Sequence, residues 1–399
     1  MKIPTGIPPS RKIFATEDAR NIASFRLPRL VYDFIEGAAG REIASIRNCQ
    51  RFDELMLQSR VMSVSGKRSL ETSFLGNTFG LPFGVAPMGM CDLAWPGADR
   101  YLGEMARLHD VPVCLSSAAS SSIEQMRNWA EHNAWFQLYV GKSTDYSMQL
   151  VKRAANAGYE TLVLTVDVPQ VSRRTRDLRN GFSVPFSMGF KQFVDFALHP
   201  RWSLATLVNG VPGPANYAAG EDEKFDRHGN REGANWDFLE KLRLAWKGKL
   251  IVKGITSPTD AIRIRSMGID AVYVSNHGGR QLDSAPPAID LLPTIREAVG
   301  PTYPLIFDSG IRNGEDVVKA LALGANFVMI GRPWLYALGA EGIVGLNALF
   351  TAFAGDISNV MAQLGANSTC QITGKAIYSC PTTHSNLTEP RQMVSNRQA

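Results

Sequence analysis

From residue 81 onward, short apolar runs alternate with longer segments whose apolar positions recur at helical spacing. That alternation marks βα units around a parallel sheet, whose strands are buried on both faces and read as continuous apolar stretches. Eight strands are predicted, at 82–86, 111–115, 135–139, 161–166, 250–253, 271–275, 305–308 and 327–330. Eight such strands close on themselves. The fold class is therefore α/β, a (β/α)8 TIM barrel with its core over about 81–365 and the whole chain read as one domain.

Helix starts punctuate the pattern: Ser257-Pro258-Thr259-Asp260 and Asn313-Gly314-Glu315-Asp316 each set a capping side chain ahead of an acidic first turn. Upstream, 21–37 reads as one helix ending at glycine, and 60–80 as a small β element covering the barrel's bottom. The gap at 168–248, between the fourth and fifth strands, is too long for a connecting helix and is the main insertion. Within it, 182–207 is apolar and aromatic with Lys191 and Arg201 interspersed, whereas 220–233 is polar, charged and expected to be mobile.

Composition narrows the class without naming a chemistry. With 45% hydrophobic and 20% charged residues over 399 positions, disordered, collagen-like and coiled-coil classes drop out. A net charge of +5 with scattered arginines argues against a nucleic-acid partner and suits anionic substrates or an anionic membrane surface. The five cysteines are odd in number and lack metal-type spacing, so neither a disulfide framework nor a metal is expected, and a reducing, cytoplasmic compartment is. Residues 1–12 lack the apolar run of a signal peptide, and no later stretch reads as long and uncharged enough to span a bilayer.

Barrel enzymes carry their reactive groups at the C-terminal strand ends. Here those ends are polar: Thr165-Val166-Asp167, Lys253-Gly254, Ser275-Asn276-His277-Gly278-Gly279-Arg280, Asp308-Ser309-Gly310 and Gly331-Arg332. The last two predict an anion cradle, because glycines admit backbone N–H groups and Arg312 and Arg332 bind phosphate bidentately. His277 is the candidate base, with Asp167 to fix its tautomer. A lone strand-end histidine is more often structural, but Arg280, Lys253 and Arg174 converge on the same mouth and point to an anionic substrate. Lys253 offers a fixed positive charge suited to a flavin that gains negative charge on reduction; a Schiff-base lysine and a buried ion pair are the competing assignments.

Together these residues resemble the FMN-dependent 2-hydroxy acid oxidases and dehydrogenases, from about residue 17 to 365. The most specific motif is Ser275-Asn276-His277-Gly278-Gly279-Arg280-Gln281-Leu282-Asp283, supported by Val252-Lys253-Gly254, Leu164-Thr165-Val166-Asp167 and Asp308-Ser309-Gly310-Ile311-Arg312-Asn313-Gly314. The resemblance implies that His277 is the base and Asp167 its partner, that Arg174 and Arg280 clamp the substrate carboxylate, and that Tyr139 hydrogen-bonds near the reacting centre. For FMN it implies the backbone at Ala86, Pro87 and Met88, the side chains of Ser116, Gln137, Thr165, Lys253 and Ser275, and contacts of Asp308, Gly310, Arg312, Gly331 and Arg332 with the phosphate and ribityl chain. It further implies oxidation of an (S)-2-hydroxy acid to the 2-keto acid, reoxidation by a quinone or by oxygen, and a homo-oligomer, a tetramer.

Phe34 departs from the family pattern: it stands where a tyrosine hydroxyl usually helps hold the carboxylate. Gly89 and Ala118 are smaller than their counterparts in the glycolate oxidases, and His199-Pro200-Arg201-Trp202-Ser203-Leu204 is similar to the insertion of mandelate-oxidising members. Both favour a bulky or aromatic hydroxy acid, with lactate as the smaller alternative, and Gly89 leans towards a dehydrogenase. The segment 182–207 is expected to attach peripherally to the inner face of a membrane through Phe182, Phe186, Phe190, Phe193, Phe196, Trp202 and Leu207, while Lys191 and Arg201 meet anionic lipid. A lid over the barrel mouth or a subunit interface would use the same aromatics. The competing functions are an FMN-barrel isomerase of a phosphorylated substrate and a barrel that binds flavin without turnover.

Overall fold

The computed structural model describes residues 7–63, 66–141, 143–183, 189–217, 229 and 231–378. Eight parallel strands close the barrel: β1 (Phe83–Met88), β2 (Val113–Ser116), β3 (Ala134–Leu138), β4 (Thr161–Thr165), β5 (Lys249–Ile255), β6 (Ala271–Val274), β7 (Leu305–Phe307) and β8 (Phe327–Ile330), with β8 paired to both β7 and β1. Successive side chains along a strand face opposite ways. Val163, Ile251, Tyr273, Ile306 and Phe327 cluster with Cys114 and Trp135 inside the barrel, and their neighbours Leu162, Leu164, Leu250, Val252, Val274 and Phe307 belong to the core shared with the outer helices. Two residues further along the inward register come Ser116, Gln137, Thr165, Lys253, Ser275 and Asp308. Strand periodicity thus delivers polar groups to the C-terminal mouth.

The barrel's other end is stoppered by a hairpin of Thr72–Phe74 and Asn77–Phe79, as expected for 60–80. Phe74 and Phe79 each set a ring centroid 5.4 Å from that of Phe327. The single helix expected over 21–37 is instead two, α1 (Thr16–Arg26) and α2 (Arg29–Glu36). Pro28 is the reason: it has no N–H to continue a helix and forces Leu27 into extended backbone, φ −94 and ψ 142. Next comes α3 (Ile43–Glu54). The two expected helix caps form, Ser257 accepting from the Asp260 N–H and Asn313 from the Asp316 N–H.

The insertion carries α4 (Thr175–Asn180), α5 (Phe190–Leu198) and α6 (Pro200–Asn209), then α7 (Trp236–Ala245) leads into β5. Asp195 of α5 accepts from the Arg29 and Leu30 N–H groups at 3.1 and 3.3 Å, capping α2 from outside. Phe190, Phe193, Leu204 and Leu207 are exposed. Phe182 and Trp202 are not, which corrects the expectation that both reach a membrane: Trp202 Nε1 donates to the Leu93 carbonyl at 2.8 Å, and Phe182 stacks on Phe34. Phe186 lies outside the described residues.

A second correction concerns Ile343–Leu364, whose 22 residues are long and apolar enough to cross a bilayer by length and composition. Its apolarity serves the core instead: Phe350 and Phe353 pack on Phe83 and Trp334.

Candidate active site

The floor of the mouth is built from inward-facing strand ends. Lys253 is 3% exposed, donates from Nζ to Ser275 Oγ at 2.8 Å, and pairs with Asp308 Oδ2 at 3.3 Å. Burial works against its charge, but Asp308 and Asp167 prevail and raise its pKa above the ordinary lysine value. The lysine is therefore a buried, fixed cation, not an amine poised for Schiff-base chemistry.

After β6 the chain reverses through His277, Gly278 and Gly279, all left-handed at φ 57, 63 and 75. Such a backbone costs a histidine strain. The turn's hydrogen bonds offset it: Asn276 Oδ1 accepts from the Gly279 N–H at 3.2 Å and Ser309 Oγ from the Gly278 N–H at 3.0 Å. A Cβ on Gly279 would lie 2.4 Å from the Ser45 nitrogen, so α3 requires glycine there. The side-chain amides of Asn48, on α3, and Asn276 exchange two hydrogen bonds of 2.9 and 2.8 Å. Nothing local in the sequence marked Asn48, which lies 228 residues from its partner.

This turn sets His277 Nδ1 2.9 Å from Asp167 Oδ1 and Nε2 3.4 Å from the Tyr139 hydroxyl. The carboxylate assigns the N–H to Nδ1 and leaves Nε2 basic. Burial pushes the imidazole pKa below its ordinary value, with Asp167 opposing. Burial also pushes Asp167 up, but His277 and Lys253 outweigh it and hold the carboxyl below its ordinary value. A neutral imidazole beside an ionised carboxylate is the resting state of a general base. Gly254, at φ 100, makes room for this pair: a Cβ there would sit 2.4 Å from Asp167 Cβ.

Above the floor a cleft opens to solvent. Tyr139, His277, Lys253, Arg174, Arg280, Phe34, Gly89 and Ala118 line it, as do Ala86, Pro87, Met88, Asp308, Gly310, Arg312, Gly331 and Arg332. Ser116, Gln137, Thr165 and Ser275 are buried at the strand ends. The residues singled out in the sequence therefore assemble at one place. Arg280 and Arg332 also serve the fold: Arg280 donates to the carbonyls of Phe34 at 3.0 Å and Gly37 at 2.5 Å, and Arg332 to those of Ile35 and Gly37, both at 3.2 Å. Two guanidinia thus satisfy the terminal carbonyls of α2 and fasten it over the mouth.

The Phe34 ring stacks on Phe182 of the insertion with centroids 4.6 Å apart and planes within 2°. Gly89 backs onto Ala118, whose carbonyl a Cβ on Gly89 would approach to 3.3 Å. Among the cleft residues that were missed, one is charged. Arg231 belongs to a stretch read as mobile, yet its guanidinium lies 4.4 Å from the Tyr139 ring centroid. Gln137 Nε2 and Thr165 Oγ1 are buried without hydrogen-bond partners among the described residues. Orphaned polar atoms at a mouth are suited to a ligand with a polar edge, the kind a flavin ring presents.

A closed (β/α)8 barrel with a base–carboxylate pair, a buried cation and an arginine-lined cradle at its C-terminal mouth is the architecture of a cofactor-dependent enzyme acting on a small anion. The sequence matches the family model described as FMN-dependent dehydrogenase over residues 23–379. It is 38% identical over 363 residues to (S)-mandelate dehydrogenase of Pseudomonas putida, covering 89% of this chain and 91% of that protein. To L-lactate dehydrogenase of Xanthobacter autotrophicus it is 35% identical over 370 residues, covering 90% and 95%. A crystal structure described as monotopic membrane protein (S)-mandelate dehydrogenase superposes with a TM-score of 0.88 at 36% identity, covering 92% of this chain and 100% of that one. The chain belongs to the FMN-dependent dehydrogenase family, a family of oxidoreductases.

Proposed function

We propose that the protein oxidises an (S)-2-hydroxy acid with an aromatic or otherwise bulky side chain to the 2-keto acid, with FMN bound across the barrel mouth. The observation that carries this reading is the His277–Asp167 pair at 2.9 Å, set in a cleft that also holds Arg174 and Arg280. Backbone at Ala86, Pro87 and Met88, with Ser116, Gln137, Thr165, Lys253, Ser275 and Asp308, would hold the flavin ring and ribityl chain. Gly310, Arg312, Gly331 and Arg332 would hold the phosphate. Bound FMN supplies a two-electron acceptor for the substrate's hydroxyl-bearing carbon.

The chain's own residues do the rest. Arg174 and Arg280 hold the carboxylate, His277 Nε2 takes a proton, and Asp167 stabilises the imidazolium that results. Tyr139 hydrogen-bonds beside the reacting centre, and Lys253 keeps positive charge at the floor. Gly89 and Ala118 leave side-chain room that Phe34, backed by the stacked Phe182, bounds with an apolar wall. A base with a carboxylate clamp favours this chemistry over isomerisation of a phosphorylated substrate. Electrons would then pass to a quinone-type carrier, which suits peripheral attachment to a membrane through the exposed faces of α5 and α6.

Anaerobic stopped-flow mixing of the yellow holoprotein with (S)-mandelate, (R)-mandelate, L-lactate and glycolate tests the reading. The expected result is bleaching that is fastest with (S)-mandelate, and a released flavin with the mass of FMN. A flavin that no 2-hydroxy acid bleaches, or a colourless protein that FMN cannot reconstitute, would overturn it.

A further inference from the structure

We propose that Arg231 is a further substrate-binding residue, taking the carboxylate of the 2-hydroxy acid from the side of the insertion; the proposal rests on the hydroxy-acid reading above. Backbone contacts fix its position. The Arg231 N–H donates to the Pro169 carbonyl at 2.8 Å, two residues beyond Asp167. Gly233 packs so closely on β3's extension that a Cβ there would lie 2.9 Å from Val140 Cγ1. The returning end of the insertion is thereby seated on the two strand ends that supply Asp167 and Tyr139.

The side chain lines the same cleft as Arg174 and His277, its guanidinium 4.4 Å from the Tyr139 ring centroid. A guanidinium held over a ring by cation–π attraction still has N–H donors to offer a planar anion. Among the described residues the Arg231 guanidinium makes no hydrogen bond or ion pair. Two of the cleft's four other arginines are differently placed. Arg280 spends N–H groups on the carbonyls of Phe34, Ile35 and Gly37, and Arg332 spends its own on Ile35, Gly37 and Gly278. Nearby Arg176 is neutralised by Asp33 and Glu42. Arg231 is thus a cleft cation whose donors the fold does not consume. Tyr139 touches both Arg231 and, through its hydroxyl, His277 Nε2. A carboxylate drawn to Arg231 is therefore held beside the base.

The test is isothermal titration of the holoprotein and its Arg231→Met and Arg231→Lys variants with phenylacetate, a carboxylate that cannot be oxidised at a hydroxyl, and with uncharged phenylacetamide. Removing a charged hydrogen-bond donor is expected to raise the phenylacetate Kd about tenfold or more, leave the phenylacetamide Kd unchanged, and be partly rescued by lysine. The limiting rate of flavin reduction by (S)-mandelate should change far less than KM. An unchanged phenylacetate Kd in Arg231→Met overturns the proposal. So does equal weakening of acid and amide, or a lowered limiting rate at unchanged Kd, which would make Arg231 a positioning residue for Tyr139. If the wild type binds phenylacetate but no hydroxy acid bleaches its flavin, the hydroxy-acid reading fails while the titration still decides the role of Arg231.

Discussion

His277 is held by opposing demands: burial disfavours its protonated form, and Asp167 favours it. Burial wins, so the free protein's imidazole titrates below its ordinary 6.5. A base acts only when neutral, so flavin reduction at subsaturating substrate should fall along an acid limb centred below pH 6.5; a limb centred at or above pH 7 would contradict the geometry. The stability sign follows. The unfolded chain's histidine takes up a proton as pH falls through about 6.5 while the folded one resists. Stability is therefore fully present above that pH and lost below it, and His277→Gln should lessen the loss in urea melts. The same variant should retain FMN by its absorption spectrum but show no anaerobic bleaching by (S)-mandelate. His277, Asp167 and Lys253 were legible in the sequence because strand ends are where a barrel displays its chemistry. Phe182 and Arg231 were not, because what gives each a role is contact with Phe34 or Tyr139, far away in the chain.

Among the elements, the strands were readable to within a few residues because their double-sided burial leaves an unbroken apolar run. The split of α1 from α2 was missed although its signal was present, since a proline inside a helical pattern ends the helix at the preceding residue, and Pro28 stands there. Less readable was what holds the β6 turn in place. No periodicity reports that α3 presents Asn48 to Asn276, with Asn48 Oδ1 also accepting from the Ala288 N–H at 3.1 Å. Asn48→Ala would orphan buried donors on Asn276 and Ala288, at a cost of about 1–3 kcal/mol for each group left unsatisfied. The expected outcome is a lower urea midpoint at unchanged m-value, together with slower flavin reduction as the His277 turn loosens. A variant with wild-type stability and rate would show that the amide pair is incidental.

At the scale of the whole molecule, α5 and α6 turn Phe190, Phe193, Leu204 and Leu207 outward on a face of the insertion. Apolar surface of this kind marks a membrane or protein contact. Replacing these four residues by serine should reduce co-sedimentation with anionic vesicles at low salt and leave turnover with a soluble electron acceptor unchanged. Equal partitioning of both proteins would remove the membrane assignment. The insertion as a unit was visible from its length alone, but not which of its aromatics face inward, because that depends on the surface it lands on. Its landing has a wider consequence. The proposed base, its carboxylate and the buried cation come from the strand ends, whereas Arg231 reaches the same cleft, and Phe182 backs its Phe34 wall, from a segment continuous in sequence with the barrel only at its two ends. Chemistry and one share of choosiness are thus written in separate paragraphs of the gene, the other share remaining with Phe34, Gly89 and Ala118 on the barrel side. A lineage can therefore revise that share of the cleft by rewriting the insertion, with the barrel passed down intact.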